Sequence, residues 1–300
     1  MQPLSIYIAT TGRAYNSEAQ AYTDFFEAAG HRCDFGSRQD YNAEDYDVEI
    51  LFHGLHPFWQ KRSPLVVGEY QSLSTGAFGP QKDVVKRVLN RRSDIKVFLN
   101  EYVRKGMFFG PNTPHFYRPM GYFKPLTVST KPKEFDVVYA GSERKGVTDI
   151  VARLADLDLS VLLLGDFQSV KHPGVTSHEP VSPKQVWEFL DLARVGLNLV
   201  PLRRPFISQD STKVIEYTSR GLGVLSNAYE WVDNFYASRG GSYMNIDDVT
   251  DADSVRLFGY RTPRVGDLEW NTVLSQSGLL TAIEQAVEAK KRKAVRRQNH

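Results

Sequence analysis

The chain has 300 residues, too many for most single cores and suited to two domains of roughly 150 each. Its 41% hydrophobic and 24% charged residues exclude a disordered or fibrous chain, and no apolar run approaches the roughly 20 residues of a membrane span. The formal charge of +2 hides an asymmetry: the last twelve residues hold Lys290, Lys291, Arg292, Lys293, Arg296 and Arg297 and no acid, leaving the body at −4. That body is not a nucleic-acid surface by charge. The tail reads first as a frayed, solvated end, with anionic lipid or nucleic acid as its functional alternatives. A single cysteine, Cys33, excludes an internal disulfide framework and fits a reducing cytoplasm; it is expected to pack as a small hydrophobe.

The first ten residues lack the basic and long apolar regions of a signal peptide and predict a strand over 4–10. A helix follows over 15–29, with Ala19, Tyr22, Phe25, Phe26 and Ala29 at helical spacing and a stop at Gly30. Further strands are predicted over 31–35, 46–52, 64–70 and 95–99, with a helix over 82–90 between the last two. Residues 121–134 are polar, carry two prolines and mark the domain boundary. The pattern then restarts, with strands over 135–140, 159–164 and 195–200 and helices over 147–155 and 183–192. In the stretch after Asp210, Ser211 or Asp210 caps a helix that stops at Gly221, and a buried strand runs over 223–226. A last helix covers 279–293. Strands alternating with helices at this pitch predict an α/β protein of two parallel sheets.

Ligands of such sheets bind beyond the carboxyl ends of the strands. In the first half those positions hold Gly12, Arg13, His53, His56, Glu69, Asn100 and Glu101. In the second they hold Gly141-Ser142-Glu143-Arg144-Lys145-Gly146, Gly165-Asp166, Pro201 to Arg204 and the stretch from Asp210 to Glu216. The second set is rich in cations and helix N-termini, which suits a diphosphate. No GxGxxG follows the first strand and no GxxxxGK[ST] occurs, which argues against a dinucleotide dehydrogenase and a P-loop NTPase. No Cys/His cluster has zinc spacing and there is no GxSxG elbow, so no metal site is expected.

Three segments of the second half resemble the donor domain of GT-B glycosyltransferases, particularly the retaining family 4 type of bacterial surface-glycan synthesis. They are Tyr139-Ala-Gly-Ser-Glu-Arg-Lys-Gly146, Leu162-Leu-Leu-Gly-Asp166, and Asp210-Ser-Thr-Lys-Val-Ile-Glu216 with Gly221 and Gly223 beyond. The last is similar to the family's PSKxxEY element. In the first half, residues 97–103 and 116–121 resemble the strand and turn before the interdomain crossing, and Leu268-Glu-Trp-Asn271 its late tryptophan segment. The resemblance implies a GT-B fold of two Rossmann-like domains facing a cleft. Residues 1–123 would form the acceptor domain, 124–278 the nucleotide-sugar domain, and 279–300 a helix crossing back with its basic tail.

It further implies transfer of a sugar from a UDP- or GDP-sugar, as co-substrate and without another cofactor or a metal, to a hydroxyl of a surface-glycan or lipid-linked acceptor. Arg144 and Lys145 would hold the diphosphate, Ser211, Thr212 and Lys213 would face the phosphates, and Glu216 would bind the ribose. Gly12, Gly141, Ser142 and Asp166 would line the donor, and His178 to Val181 would meet the base. Asp210 stands nearest to the family's sugar-contacting acid, whose own position holds Ser208. His53 would contact acceptor or sugar hydroxyls, and Glu69 would be base or acceptor anchor. The expected place is cytoplasmic, with peripheral membrane contact through the tail. Competing readings are transfer to modified bases of phage DNA, a nucleotide-sugar epimerase, and a two-domain ligand-binding protein.

Overall fold

The computed structural model describes residues 2–10, 17–37, 41–52, 54–90, 92–124, 132–181 and 183–298. The chain divides into two compact units, the first from Met1–Phe123 with Leu268–His300 and the second from Lys124–Asp267.

In the first unit β1 (Ser5–Thr10), α1 (Ser17–Ala28), β2 (Arg32–Ser37), β3 (Val48–Phe52) and β4 (Leu65–Tyr70) follow the predicted order. After them come α2 (Gly79–Leu89), β5 (Ile95–Phe98), α3 (Glu101–Gly106) and β6 (Phe116–Tyr117). The strands pair in parallel in the order β2-β1-β3-β4-β5-β6. The alternate residues Ile6, Ile8, Val48, Ile50, Leu65, Val67, Ile95 and Val97 point into one core with Tyr22 and Phe26 of α1. Cys33 is buried as expected, and burial pushes its thiol up to about 12.

The second unit begins with β7 (Phe135–Ala140), α4 (Lys145–Asp156), β8 (Val161–Leu164), β9 (Val175–His178) and α5 (Pro183–Leu190). It continues with β10 (Ala193–Asn198), α6 (Thr212–Ser219), β11 (Gly223–Ser226), α7 (Glu230–Arg239), β12 (Met244–Asn245) and α8 (Ala252–Arg256). Its strands pair in parallel in the order β9-β8-β7-β10-β11-β12. The chain therefore runs outward from β7 to one edge, returns to β10 and runs to the other. The carboxyl ends of β7 and β10 are the topological switch point, where a crevice opens in sheets of this kind.

Two differences from the sequence reading concern the end of the chain. Helix α9 (Trp270–Ser277), grouped above with the second domain, puts Trp270, Val273 and Leu274 into the first unit's core. The final helix α10 (Leu279–Gln298) adds Leu279, Ile283 and Val287 to the same core. It also continues through the basic residues expected to fray. Lys290 Nζ lies 2.7 Å from Asp94 and Lys291 Nζ 3.4 Å from Asp47, so carboxylates just before β5 and β3 pair with the basic residues of the helix. Among the described residues no helix is long and apolar enough to cross a membrane.

Candidate functional site

The switch point of the second unit collects much of the predicted donor set. Strand β7 is a buried run, Val137 to Tyr139, that must end where Gly141 admits a tight turn. A Cβ on Gly141 would stand 3.1 Å from Tyr139 Oη and 3.3 Å from Lys213 Cε, which places the lysine stem over that turn. Lys213 Nζ lies 5.4 Å from the centre of the Tyr139 ring, and Arg144 Nη2 donates to Tyr139 Oη at 2.9 Å. One buried tyrosine thus gathers two cations from different elements. Arg144 is the residue before α4, which has no side-chain cap, so the first N–H groups of that helix stay available to an anion.

The turn after β8 presses against the same place. Gly165, at φ +145°, donates its N–H to His178 O at 2.9 Å. A Cβ there would fall 2.0 Å from Gly141 O, so only glycine fits. Glu143 clamps the two turns together by accepting from Gln168 N at 2.9 Å, Ser169 N at 3.2 Å and Ser169 Oγ.

Across the switch point, Ser211 caps α6 as read, accepting from Val214 N at 3.4 Å. Its Oγ donates to Asn198 Oδ1 at 2.9 Å, and Asn198 Nδ2 donates to Ser226 Oγ at 2.9 Å and Tyr229 Oη at 3.2 Å. Asn198 is fully buried, so this chain fixes the start of α6 to the ends of β10 and β11. Below it, Tyr217 packs on Gly196, and its hydroxyl accepts from Ala140 N at 3.3 Å and donates to Leu197 O at 3.4 Å. Burial holds that hydroxyl well above the usual phenol range.

The remaining predicted donor residues fall as follows. Thr212 opens α6, and Glu216 stands one turn beyond Lys213, both half-buried. Asp210, half-buried, precedes the cap. Ser142 is exposed, and exposed Asp166 accepts from Gln168 Nε2 at 3.2 Å. His178 ends β9 with its ring 4.5 Å from that of Phe189, and Val181 is half-buried beyond it. Lys145 is the first residue of α4. Gly12 and His53 lie outside the described residues. Asn198 was missed, and Tyr139 and Glu143, though within the quoted segment, were given no role. Asn198 had a legible signal, a lone amide in the apolar run Val195 to Val200.

Glu69 is the next-to-last residue of β4 in the first unit, but it is buried and its oxygens are engaged. Tyr22 Oη donates to Oε2 at 2.7 Å, Gln71 Nε2 to Oε1 at 2.9 Å, and the fully buried Arg118 pairs with Oε1. Burial alone would lower the Arg118 pKa; the charges of Glu69 and Tyr22 outweigh it and raise it. Trp270 covers the pair, its ring centre 5.2 Å from the guanidinium carbon. Glu69 also borders a cleft of about 560 Å³ with His56, Gln71, Lys86 and Asn90.

Neither a comparison with protein-family models nor one with curated protein sequences finds a match. Solved structures do match. AviGT4, a glycosyltransferase involved in avilamycin A biosynthesis, superposes with a TM-score of 0.57 at 15% identity over 97% of this chain and 98% of that one. The Methanocaldococcus jannaschii UDP-GlcNAc 2-epimerase, in complex with UDP-GlcNAc and UDP, gives 0.55 at 10% identity over 94% and 100%. An α-glucosyltransferase in complex with UDP-glucose and DNA gives 0.51 at 12% identity over 74% and 79%. The fold is that of the GT-B glycosyltransferases, two Rossmann-like domains. Since it also serves an epimerase, function has to be argued from the site.

Proposed function

We propose that this protein is a glycosyltransferase whose second unit binds a nucleotide-diphosphate sugar at the β7–β10 switch point. The observation that carries the reading is the convergence of Arg144 and Lys213 on Tyr139, beside the uncapped start of α4. Sugar transfer breaks the bond between the anomeric carbon and the diphosphate, so negative charge grows on the leaving group as positive charge grows on the ring. Two fixed cations and helix N–H groups aimed at that charge lower the barrier more than they tighten the ground state. Lys145, the next residue along the chain, is proposed to serve the same diphosphate. Glu216, on the face of α6 it shares with Lys213, accepts from the ribose hydroxyls. Ser211 and Thr212 line the phosphate side, and Asp210 orients the transferred sugar.

Glu69 is proposed as an orienting anion rather than the base. Its oxygens already accept from Tyr22, Gln71 and Arg118, and a general base must be close to the proton it removes and open to it. A UDP- or GDP-sugar is the proposed donor, and a hydroxyl on a glycan or lipid-linked precursor the proposed acceptor.

Titration of UDP and GDP into the purified protein tests the reading. Arg144→Ala and Lys213→Ala are each expected to weaken nucleotide-diphosphate binding at least about tenfold, the scale of one lost charge-assisted hydrogen bond. Unaltered affinity in both variants would remove the proposal. Product analysis with UDP-sugars then separates transfer from epimerisation: a transferase releases UDP, whereas an epimerase returns an isomeric sugar nucleotide.

A further inference from the structure

A second cationic cavity lies wholly within the first unit, on the sheet face beside α2. Tyr70, Lys86, Arg87, Asn90, Arg92, Ser93, Lys96 and Phe109 border an open cavity of about 290 Å³, near the lower end of small-ligand sites. Four of the eight are cations and none is an acid.

Three of the cations, Lys96, Arg87 and Lys86, are held beside the space by named contacts. Lys96 is the second residue of β5, registered opposite Gly68 of β4, whose missing side chain leaves room for Ser93 and the Tyr70 ring beside it. Its Nζ donates to Ser93 O at 3.1 Å. The Arg87 guanidinium carbon stands 4.3 Å from the centre of the Phe109 ring. Lys86 donates to Ser74 Oγ at 2.8 Å and has Asp83 at 3.8 Å. The nearby Asp94 is turned elsewhere, accepting from Val66 N at 2.9 Å and pairing with Lys290. The Ser93 hydroxyl is buried, with the Tyr70 hydroxyl as its neighbour. Burial, and then the charge of Arg87, lowers the Lys96 pKa.

Four cations around one open cavity repel one another, and the two half-buried ones, Lys86 and Lys96, also lose hydration, so an apolar residue at position 96 would favour the empty fold. A bound anion reverses that balance. One carboxylate would answer only one or two of the four charges, whereas a phosphate or pyrophosphate supplies several acceptor oxygens to Lys and Arg together. We propose that this cavity is a binding site for a phosphate- or pyrophosphate-bearing ligand, separate from the donor site of the second unit. The chemistry fits a soluble phosphate ester and a lipid headgroup alike. The helix that supplies Lys86 and Arg87 also turns Val84, Val85 and Val88 outward, 44%, 48% and 69% exposed, as a lipid surface would require.

The test uses the full chain with two probes: inorganic pyrophosphate by calorimetry, and sedimentation with phosphatidylcholine vesicles with and without phosphatidic acid. Variants are R92Q/K96M, its charge-keeping counterpart R92K/K96R, and K213A as the donor-site control. Saturable pyrophosphate binding that survives in K213A and R92K/K96R and weakens at least about tenfold in R92Q/K96M supports the site. So does phosphatidic-acid-dependent sedimentation lost in R92Q/K96M. If sedimentation also fails in V84S/V88S, the source is a lipid; pyrophosphate binding without sedimentation marks a soluble ligand. Pyrophosphate binding lost in K213A and kept in R92Q/K96M, with no vesicle binding, overturns the proposal, as does binding of neither probe. Folding of R92Q/K96M is checked by its thermal transition, expected at or above that of the parent, since two repelling charges are gone.

Discussion

Glu69 and Arg118 show how a residue's surroundings change its reading. From the sequence Glu69 is a carboxylate at the end of a strand, where a base could stand. Its partner lies 49 positions along the chain, and no local pattern joins them. A buried pair of this kind is sensitive to loss of one member, because the other stays charged and unanswered. Glu69→Ala is therefore expected to cost the first unit about 3–5 kcal/mol, with Glu69→Leu/Arg118→Met recovering most of it in urea unfolding. A double variant as weak as the single one would show that packing, not pairing, is what matters. Gly165→Ala is the companion case in the second unit. With a backbone oxygen 2.0 Å from the new methyl, it should cost about 3 kcal/mol or more and loosen nucleotide binding with it. Lys213 and Arg144, by contrast, could be picked out as candidates from sequence, because a cation in a helix's first turn, or between the glycines of a strand-end turn, needs no distant partner to be noticed.

At the scale of elements, the long apolar runs were readable and the short segments were not. Strands β7 and β11 begin and end where their side-chain pattern predicts, since burial on both faces leaves a continuous apolar signal. The two-residue strands β6 and β12 exist only because a neighbour pairs with them. Helix α7 went unassigned although Val232, Phe235 and Tyr236 carry its spacing. Helix α6 rests on its cap: Ser211→Ala removes the bond to Val214 N and leaves Asn198 Oδ1 without its donor, an expected loss of about 1–2 kcal/mol in thermal unfolding. Helix α8 gives a pH-dependent contact. Burial would raise the Asp136 pKa, but bonds from Arg256 and Ser160 outweigh it and hold the carboxyl beneath the usual aspartate range. A carboxylate held down in the folded state contributes fully above its unfolded pKa, and its contribution fades as pH falls through the folded one. Acid unfolding of the second unit should accordingly set in below about pH 4, and Asp136→Asn should flatten that limb.

On the scale of the whole molecule, the two parallel sheets were anticipated from the alternation of strands and helices and the return of the last helix from the resemblance, while the return begins at Leu268 rather than at 279. The basic tail looks like a solvated end in one dimension. In the fold, Lys290 and Lys291 meet Asp94 and Asp47. Both pairs are partly exposed, so Lys290→Ala/Lys291→Ala should lower stability by no more than about 1–2 kcal/mol. The core residues of α9 and α10 matter far more. The first unit is built from two separated stretches, and its core includes Trp270, Leu274, Ile283 and Val287. A fragment spanning 124–267 is expected to fold alone with a cooperative thermal transition, whereas 1–123 should remain expanded in near-ultraviolet circular dichroism until 268–300 is added in trans.

The ribosome releases these stretches in a fixed order. Residues 1–123 emerge first, but Trp270, which closes over Arg118 and Glu69, is made only after the whole of the second unit. Domains usually mature from the amino end as they are synthesised. Here the middle of the chain should reach its native form before the beginning does, leaving the early strands to wait with one side uncovered. Nascent chains stalled once residue 267 has cleared the exit tunnel should then show a protease-resistant second unit beside a digestible first one, and addition of the final helices should be the step that protects both.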